Sequence, residues 1–128
     1  MGISSDLQRV IVARLKAAVP SVAGRVYDTP PETAQMPYIS IGPSYWNDDS
    51  AECIRARVET IQCDIWASNR PDKRAAKDAT DEVAAALDGW AIEDLAMHPL
   101  RVSLVRVMDD LAPGVVHGVV QVEAMVEG

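Results

Sequence analysis

The segment Val58-Glu59-Thr60-Ile61-Gln62-Cys63-Asp64-Ile65-Trp66 limits the possible folds more than any other stretch of the chain. Ile61, Cys63 and Ile65 fall on one side, and Thr60, Gln62, Asp64 and Trp66 on the other. Successive side chains of an extended backbone point to opposite faces, so this alternation predicts a half-buried β-strand. Its β-branched and aromatic residues also suit a pleated surface. Such a strand needs neighbours for its backbone groups and a cover for its apolar face. It is therefore read as the central strand of a sheet.

Two segments carry the helical period that could supply the cover. Leu7, Val10, Ile11, Leu15, Ala18 and Val19 recur at helical spacing, with Arg9, Arg14 and Lys16 facing out. Ser5 and Gln8 have capping-box spacing, and Pro20 ends the run. The first helix is expected over Asp6 to Val19, with its apolar stripe packed on the core in preference to a membrane surface. The second is expected from about Pro71 to Leu87, capped by Ser68 or Asn69 and closed by Asp88-Gly89. Its apolar face is Ala75, Ala76, Ala79, Val83, Ala86 and Leu87. Arg74–Asp78 and Lys77–Asp81 have i,i+4 spacing.

The remaining strands are expected at Arg25–Asp28, from Pro37 to Gly42, at Leu100–Met108 and at Val115–Glu127, with a short one at Ala91–Glu93. Tyr45-Trp46-Asn47-Asp48-Asp49-Ser50 reads as a polar turn, either a solvated hairpin tip or a docking loop with aromatic anchors. Arg55, Arg57 and Glu59 share a face, which suggests that the first half of the central strand extends past the core. The fold class is α+β: a mainly antiparallel sheet of four to five strands with both helices on one face, in the order α-β-β-β-α-β-β. The whole chain, 1–128, makes one domain.

The last two strands look apolar on both sides. Leu100, Val102 and Leu104 alternate with Val105 and Val107, and Val120, Val122, Ala124 and Val126 with Val119 and Met125. Helices on one face leave the other bare, so a neighbouring copy is expected over it. The competing reading is a bulge that reverses the alternation partway and keeps one face inward. The candidate subunit or partner interface is Val105, Val107, Val119 and Met125 together with Tyr45, Trp46, Asp48 and Asp49.

Charge and motifs exclude several classes of function. A net charge of −7, with no stripe of basic residues, argues against tight nucleic-acid binding. No apolar run reaches the length of a membrane span, and no secretory signal is read at the N-terminus. Cys53 and Cys63, if on one extended segment, lie roughly 30 Å apart, too far to bridge, and are read as reduced thiols. There is no phosphate loop, nucleophile elbow or zinc-protease helix. Asp109 and Asp110 could approach His117 across the last hairpin, but this falls short of a metal-ligand pattern. No catalytic residue, cofactor or metal is expected.

Gly24-Arg25-Val26-Tyr27-Asp28, a proline-bearing loop and then Pro37-Tyr38-Ile39-Ser40-Ile41-Gly42 resemble the small phage tail-completion (tail-terminator) family. That family includes prophage and gene-transfer-agent members. The preceding amphipathic helix, the strand ending in Asp64-Ile65-Trp66-Ala67 with a helix after it, and the closing hairpin fit its layout. The turn Asp109-Asp110-Leu111-Ala112-Pro113-Gly114 is longer than the Asp-Gly type expected there. The resemblance implies a structural virion protein that caps the tail tube and joins it to the head-neck connector. It also implies a ring, commonly of six copies, with the tail tube protein, the connector protein and sister copies as partners. Its place would be the virion tail, with assembly in the host bacterial cytoplasm. The alternatives are a small ligand-binding or enzymatic domain, with a pocket lined by His117 and Asp109, or a bacterial adaptor unrelated to phage.

Overall fold

The structure is a computed structural model and describes residues 2–128. Helix α1 spans Ile3–Ala18, followed by a short 3-10 turn at Pro20–Val22. Strands β1 (Val26–Tyr27), β2 (Tyr38–Asp48) and β3 (Ala56–Ser68) come next, then α2 (Arg74–Leu87), β4 (Arg101–Asp109) and β5 (Val115–Glu127). This is the expected order, with helices on one face of a five-stranded sheet ordered β1-β2-β3-β5-β4. Among the described residues β1 pairs with β2 in parallel, and β2–β3, β3–β5 and β4–β5 are antiparallel.

The alternation of the central strand holds. Ile61, Cys63 and Ile65 are at most 2% exposed and face the helices. Opposite them on β5 stand Val122, Val120 and Gly118. Leu7, Ile11 and Leu15 of α1 and Ala79, Val83 and Leu87 of α2 close the core against this face, all fully buried. Each large aliphatic side chain buried this way stabilises the fold by roughly 2–3 kcal/mol.

Several boundaries differ from expectation, for identifiable reasons. Helix α1 begins at Ile3, and Gly2 takes the cap position, so the Ser5/Gln8 capping box does not form. Tertiary contacts hold the extra turn: Ile3 packs on the core, and Arg57 Nη2 donates to Ser4 Oγ at 3.1 Å. Arg14, expected to face out, is half-buried over the Trp90 ring, and its Nε donates to the Ala86 carbonyl at 3.0 Å. Helix α2 begins at Arg74 without a side-chain cap. Ser68 Oγ instead accepts from Arg70 N, and Asp72 Oδ1 from Arg74 N. The expected Arg74–Asp78 and Lys77–Asp81 pairs are replaced by Arg74–Asp72 and Lys73–Asp109. No strand forms at Ala91–Glu93; the Ile92 carbonyl accepts from Leu95 and Ala96 N, closing a turn that carries Ile92 and Leu95 against the core.

The largest departures lie in β2 and β4. Tyr45 to Asp48 do not form a turn; they continue β2, paired from Ser44↔Ile61 to Asp48↔Arg57. A bulge between Ile41 and Ser44 lets the strand pass Gly42-Pro43. The hairpin β2–β3 therefore runs on past β1 while β3 stays paired to β5 as far as Ala56; this end of the hairpin, with the turn Asp49–Arg55, forms an arm whose outer strand is an open edge of the sheet. A second bulge, between Val102 and Leu104, flips the alternation of β4. Val105 and Val107 then pair with Val120 and Gly118 on the helix side, while Leu104, Arg106 and Met108 turn to the other face. The reading that Val105 and Val107 share a bare face with Val119 and Met125 is thus corrected. One residue skipped in a strand exchanges the faces of everything after it.

Candidate functional site

Two surfaces carry most of the residues singled out in the sequence: the sheet face opposite the helices, and the β2–β3 arm. The open face is less bare than its sequence suggests. Val119 is only 5% exposed there, and the polar Thr60, Asp64 and Ser40 are also buried. The cover comes from a side-chain network. His117 Nε2 meets Asp64 Oδ1 at 2.7 Å, and Gln62 Nε2 donates to the same oxygen at 2.8 Å. Gln121 Nε2 donates to Gln62 Oε1 at 3.2 Å. The Trp66 ring stacks on His117 with centroids 4.0 Å apart, and its Nε1 donates to Ser40 Oγ at 2.9 Å. Tyr38 stacks on the far side of Trp66. Gly42 allows the close approach: a Cβ there would overlap Asp64 Oδ2.

This network explains where His117 goes. Asp109 pairs with Val116, one residue from His117, and so lies on the opposite face, bound to Lys73 at 3.1 Å. Asp110 Oδ2 accepts from Ala112 N within its own turn. The approach of these two aspartates to His117 that the sequence allowed does not occur; its partner is Asp64, 53 residues away. Among the described residues, no three His, Cys, Asp or Glu side chains gather as a metal site. A cleft of about 380 Å³ opens beside the network, lined by Pro30, Met36, Tyr38, Trp66, Asp110 and Val115 among others. It includes neither His117 nor Asp109, the pair that the alternative ligand-binding reading would place in a pocket. Cys53 is exposed in the turn of the arm, and Cys63 is buried in β3. Burial, then the neighbouring Asp64 charge, pushes the Cys63 thiol up to about 12. A thiol held protonated is a poor nucleophile.

The outer strand of the arm, Ser44–Asp48, is exposed throughout, whereas Ala56, Glu59 and Thr60 of its inner strand are buried. Tyr45 and Trp46 are 55% and 51% exposed, and Ile54 in the turn 47%. Asp48, Asp49 and Glu52 are exposed around them. The root of the arm is fixed by a buried ion pair that sequence reasoning placed outside the core. Glu59 is 2% exposed, and its Oε1 lies 3.2 Å from Arg57 Nη2. The contact lacks hydrogen-bond geometry, so Glu59 Oε1 and Arg57 Nε are buried without hydrogen-bond partners. The Arg57 guanidinium also lies 4.6 Å from the centre of the Trp46 ring. Trp46 is therefore held in position while most of its surface stays open.

The interface residues named from sequence fall in three places. Tyr45, Trp46, Asp48 and Asp49 lie on the arm, and Val119 and Met125 on the open face. Val105 and Val107 lie on the helix side of β4, where Val107 packs against Ala67, Ala76 and Val116 and Val105 stays 43% exposed at the sheet edge. The Asp64–His117–Trp66 network was missed. Its one signal was polar residues on the outer face of an otherwise apolar strand.

Comparison with known proteins agrees with this architecture. A chain in a structure described as "Virion of native gene transfer agent (GTA) particle" has the same fold, with a TM-score of 0.75 and 22% identity over 92% of each chain. No curated protein matches the sequence. The family described as "Tail completion protein gp17" matches residues 9–127, nearly the whole chain. The chain therefore belongs to the gp17 tail completion protein family, structural proteins of phage-type tails.

Proposed function

We propose that the protein acts in assembly: copies form a ring that closes the end of the tail tube and joins it to the head-neck connector. The observation that carries this reading is family membership across nearly the whole chain. The arm supports it, because a rigidly rooted hairpin with exposed aromatics and carboxylates suits contact with other proteins. The role needs no covalent chemistry. The net charge of −7 suits a ring through which DNA slides without sticking. The protein would reside in the virion tail, after assembly in the host bacterial cytoplasm.

The test is deletion of the gene in the producing strain, followed by electron microscopy of the particles. The expected result is tails of uncontrolled length, or tails detached from heads, with normal particles restored by the purified protein. Particles of normal tail length joined to heads in the deletion strain would refute the proposal. Tight duplex binding by the purified protein at low salt would refute the sliding-channel role of its charge.

A further inference from the structure

The sheet has two edges, and each is open over part of its length. On the β4 side, the first residues are covered: Leu100 exchanges backbone hydrogen bonds with Gly89 and Trp90, and Val102 N donates to Asp88 Oδ1 at 2.9 Å. From Leu104 to Asp109 the outer edge has no partner strand among the described residues. On the other side, β1 covers β2 only at Ile39 and Ser40, which leaves the outer edge of Ser44–Asp48 open along the arm. Soluble monomers usually blunt such edges with proline, lysine, inward charges or bulges. Both bulges here lie before the free stretches, and neither stretch contains proline or lysine.

The geometry points to pairing of these two edges between copies: the free β4 edge of one copy takes the β2 arm of the next as an added strand. Four observations favour that occupant. The strands β2, β3, β5 and β4 are successively antiparallel, so the next copy's β2, laid beside β4 with the helices of both copies on the same face, runs antiparallel to it. The free stretches are six and five residues long by their bounds, a matched length. In antiparallel alignment Tyr45 and Trp46 lie along the Leu104–Val107 stretch, of which Leu104, Val105 and Arg106 are exposed, and aromatic against branched aliphatic is a favourable cross-strand pair. The charges also match. Arg106 is exposed and enters no ion pair among the described residues, and the same holds for Asp48, Asp49 and Glu52. The alignment brings the acidic end of the arm to the Leu104–Arg106 end of β4. Pairing of β4 with its own copy would instead bring two Arg106 side chains together at the centre of the contact.

The two edges differ and lie at opposite ends of the sheet, so the contact is head-to-tail. Such a contact closes into a ring when its rotation allows. This inference rests on the ring reading above and assigns its subunit contact.

The test is the assembled mass of the full chain against concentration, by native mass spectrometry and sedimentation, alone and on tails lacking the protein. Arg106→Glu is expected to raise the concentration for half-assembly by roughly tenfold or more. Asp48→Arg with Asp49→Arg in the same chain is expected to restore it. Circular dichroism and thermal unfolding confirm that each variant folds. Wild-type assembly by Arg106→Glu, or a plain dimer through β4, would overturn the edge pairing and leave tail closure standing. A wild-type chain that stays monomeric both alone and on tails would also overturn the pairing. Loss of assembly by Arg106→Glu with tails still closed at normal length would uphold the pairing and count against the ring's role at the tail.

Discussion

Gly118 sets how closely α2 lies on the sheet, and Gly118→Ala tests that. Gly118 sits on β5 opposite Ile65 of β3 and Val107 of β4. A Cβ there would overlap Thr80 Oγ1 and come within 3.3 Å of both Thr80 Cβ and Ile65 Cβ. Thr80 is fully buried, and its hydroxyl donates to the Ala76 carbonyl at 2.7 Å. Relief requires either rotating Thr80 away from that acceptor or lifting α2. The lost hydrogen bond costs about 1 kcal/mol, and overpacking of a tight core typically 1–3 kcal/mol. The entropy lost by the unfolded chain on gaining a side chain returns about 0.4–1 kcal/mol. The expected net destabilisation is about 2–3 kcal/mol, or a Tm fall of about 7–12 °C for a domain of this size. Thr80→Ala alone should cost about 1 kcal/mol. The double variant should resemble Thr80→Ala, because the overlapping oxygen is gone; the two effects should fail to add by about 2–3 kcal/mol. Urea denaturation of the four proteins measures this. A Gly118→Ala protein within about 0.5 kcal/mol of wild type, or simple additivity, would refute the reasoning.

Removing Glu59 alone should be costly, since Glu59→Ala strands the largely buried Arg57; about 3 kcal/mol is expected in urea denaturation, whereas Arg57→Met with Glu59→Leu should be close to neutral. Asp64→Ala should lose about 1–3 kcal/mol, because His117 and Gln62 both lose their acceptor. A thiol reagent at pH 8 should label one cysteine, the exposed Cys53, in the native protein and two after unfolding. The raised Cys63 pKa also has a pH signature. The folded state keeps this proton longer than the unfolded chain, so its contribution is intact below 9.0 and is lost as pH rises from there toward 12. Replacing Cys63 with Ala should flatten that part of the stability profile, although the smaller side chain lowers stability overall.

Much of the scaffold was legible because it depends on local period. The alternation around Ile61-Cys63-Ile65 and the stripe Leu7-Ile11-Leu15 named the core directly, and those residues are buried. Boundaries set by distant contacts were not legible. The start of α1 is held partly by Arg57, some fifty residues on, and the Arg74 side chain chose Asp72 over the helical neighbour expected of it. The candidate site was half legible. Tyr45, Trp46, Asp48 and Asp49 were marked as a group, but as a turn, since a strand exposed on both faces has no apolar alternation to reveal it.

The sequence alone determined the order of elements, the helix-side core and the acidic surface, because each follows from which residue types recur and at what interval. The tertiary structure decided which face Val105 and Val107 occupy, that Asp64 rather than Asp109 holds His117, and that Tyr45 to Asp48 form an open edge strand. A bulge shifts the register by a single residue, and a side-chain partner is chosen by which strand lies alongside. Both depend on how distant segments align, and no window of local sequence encodes that alignment.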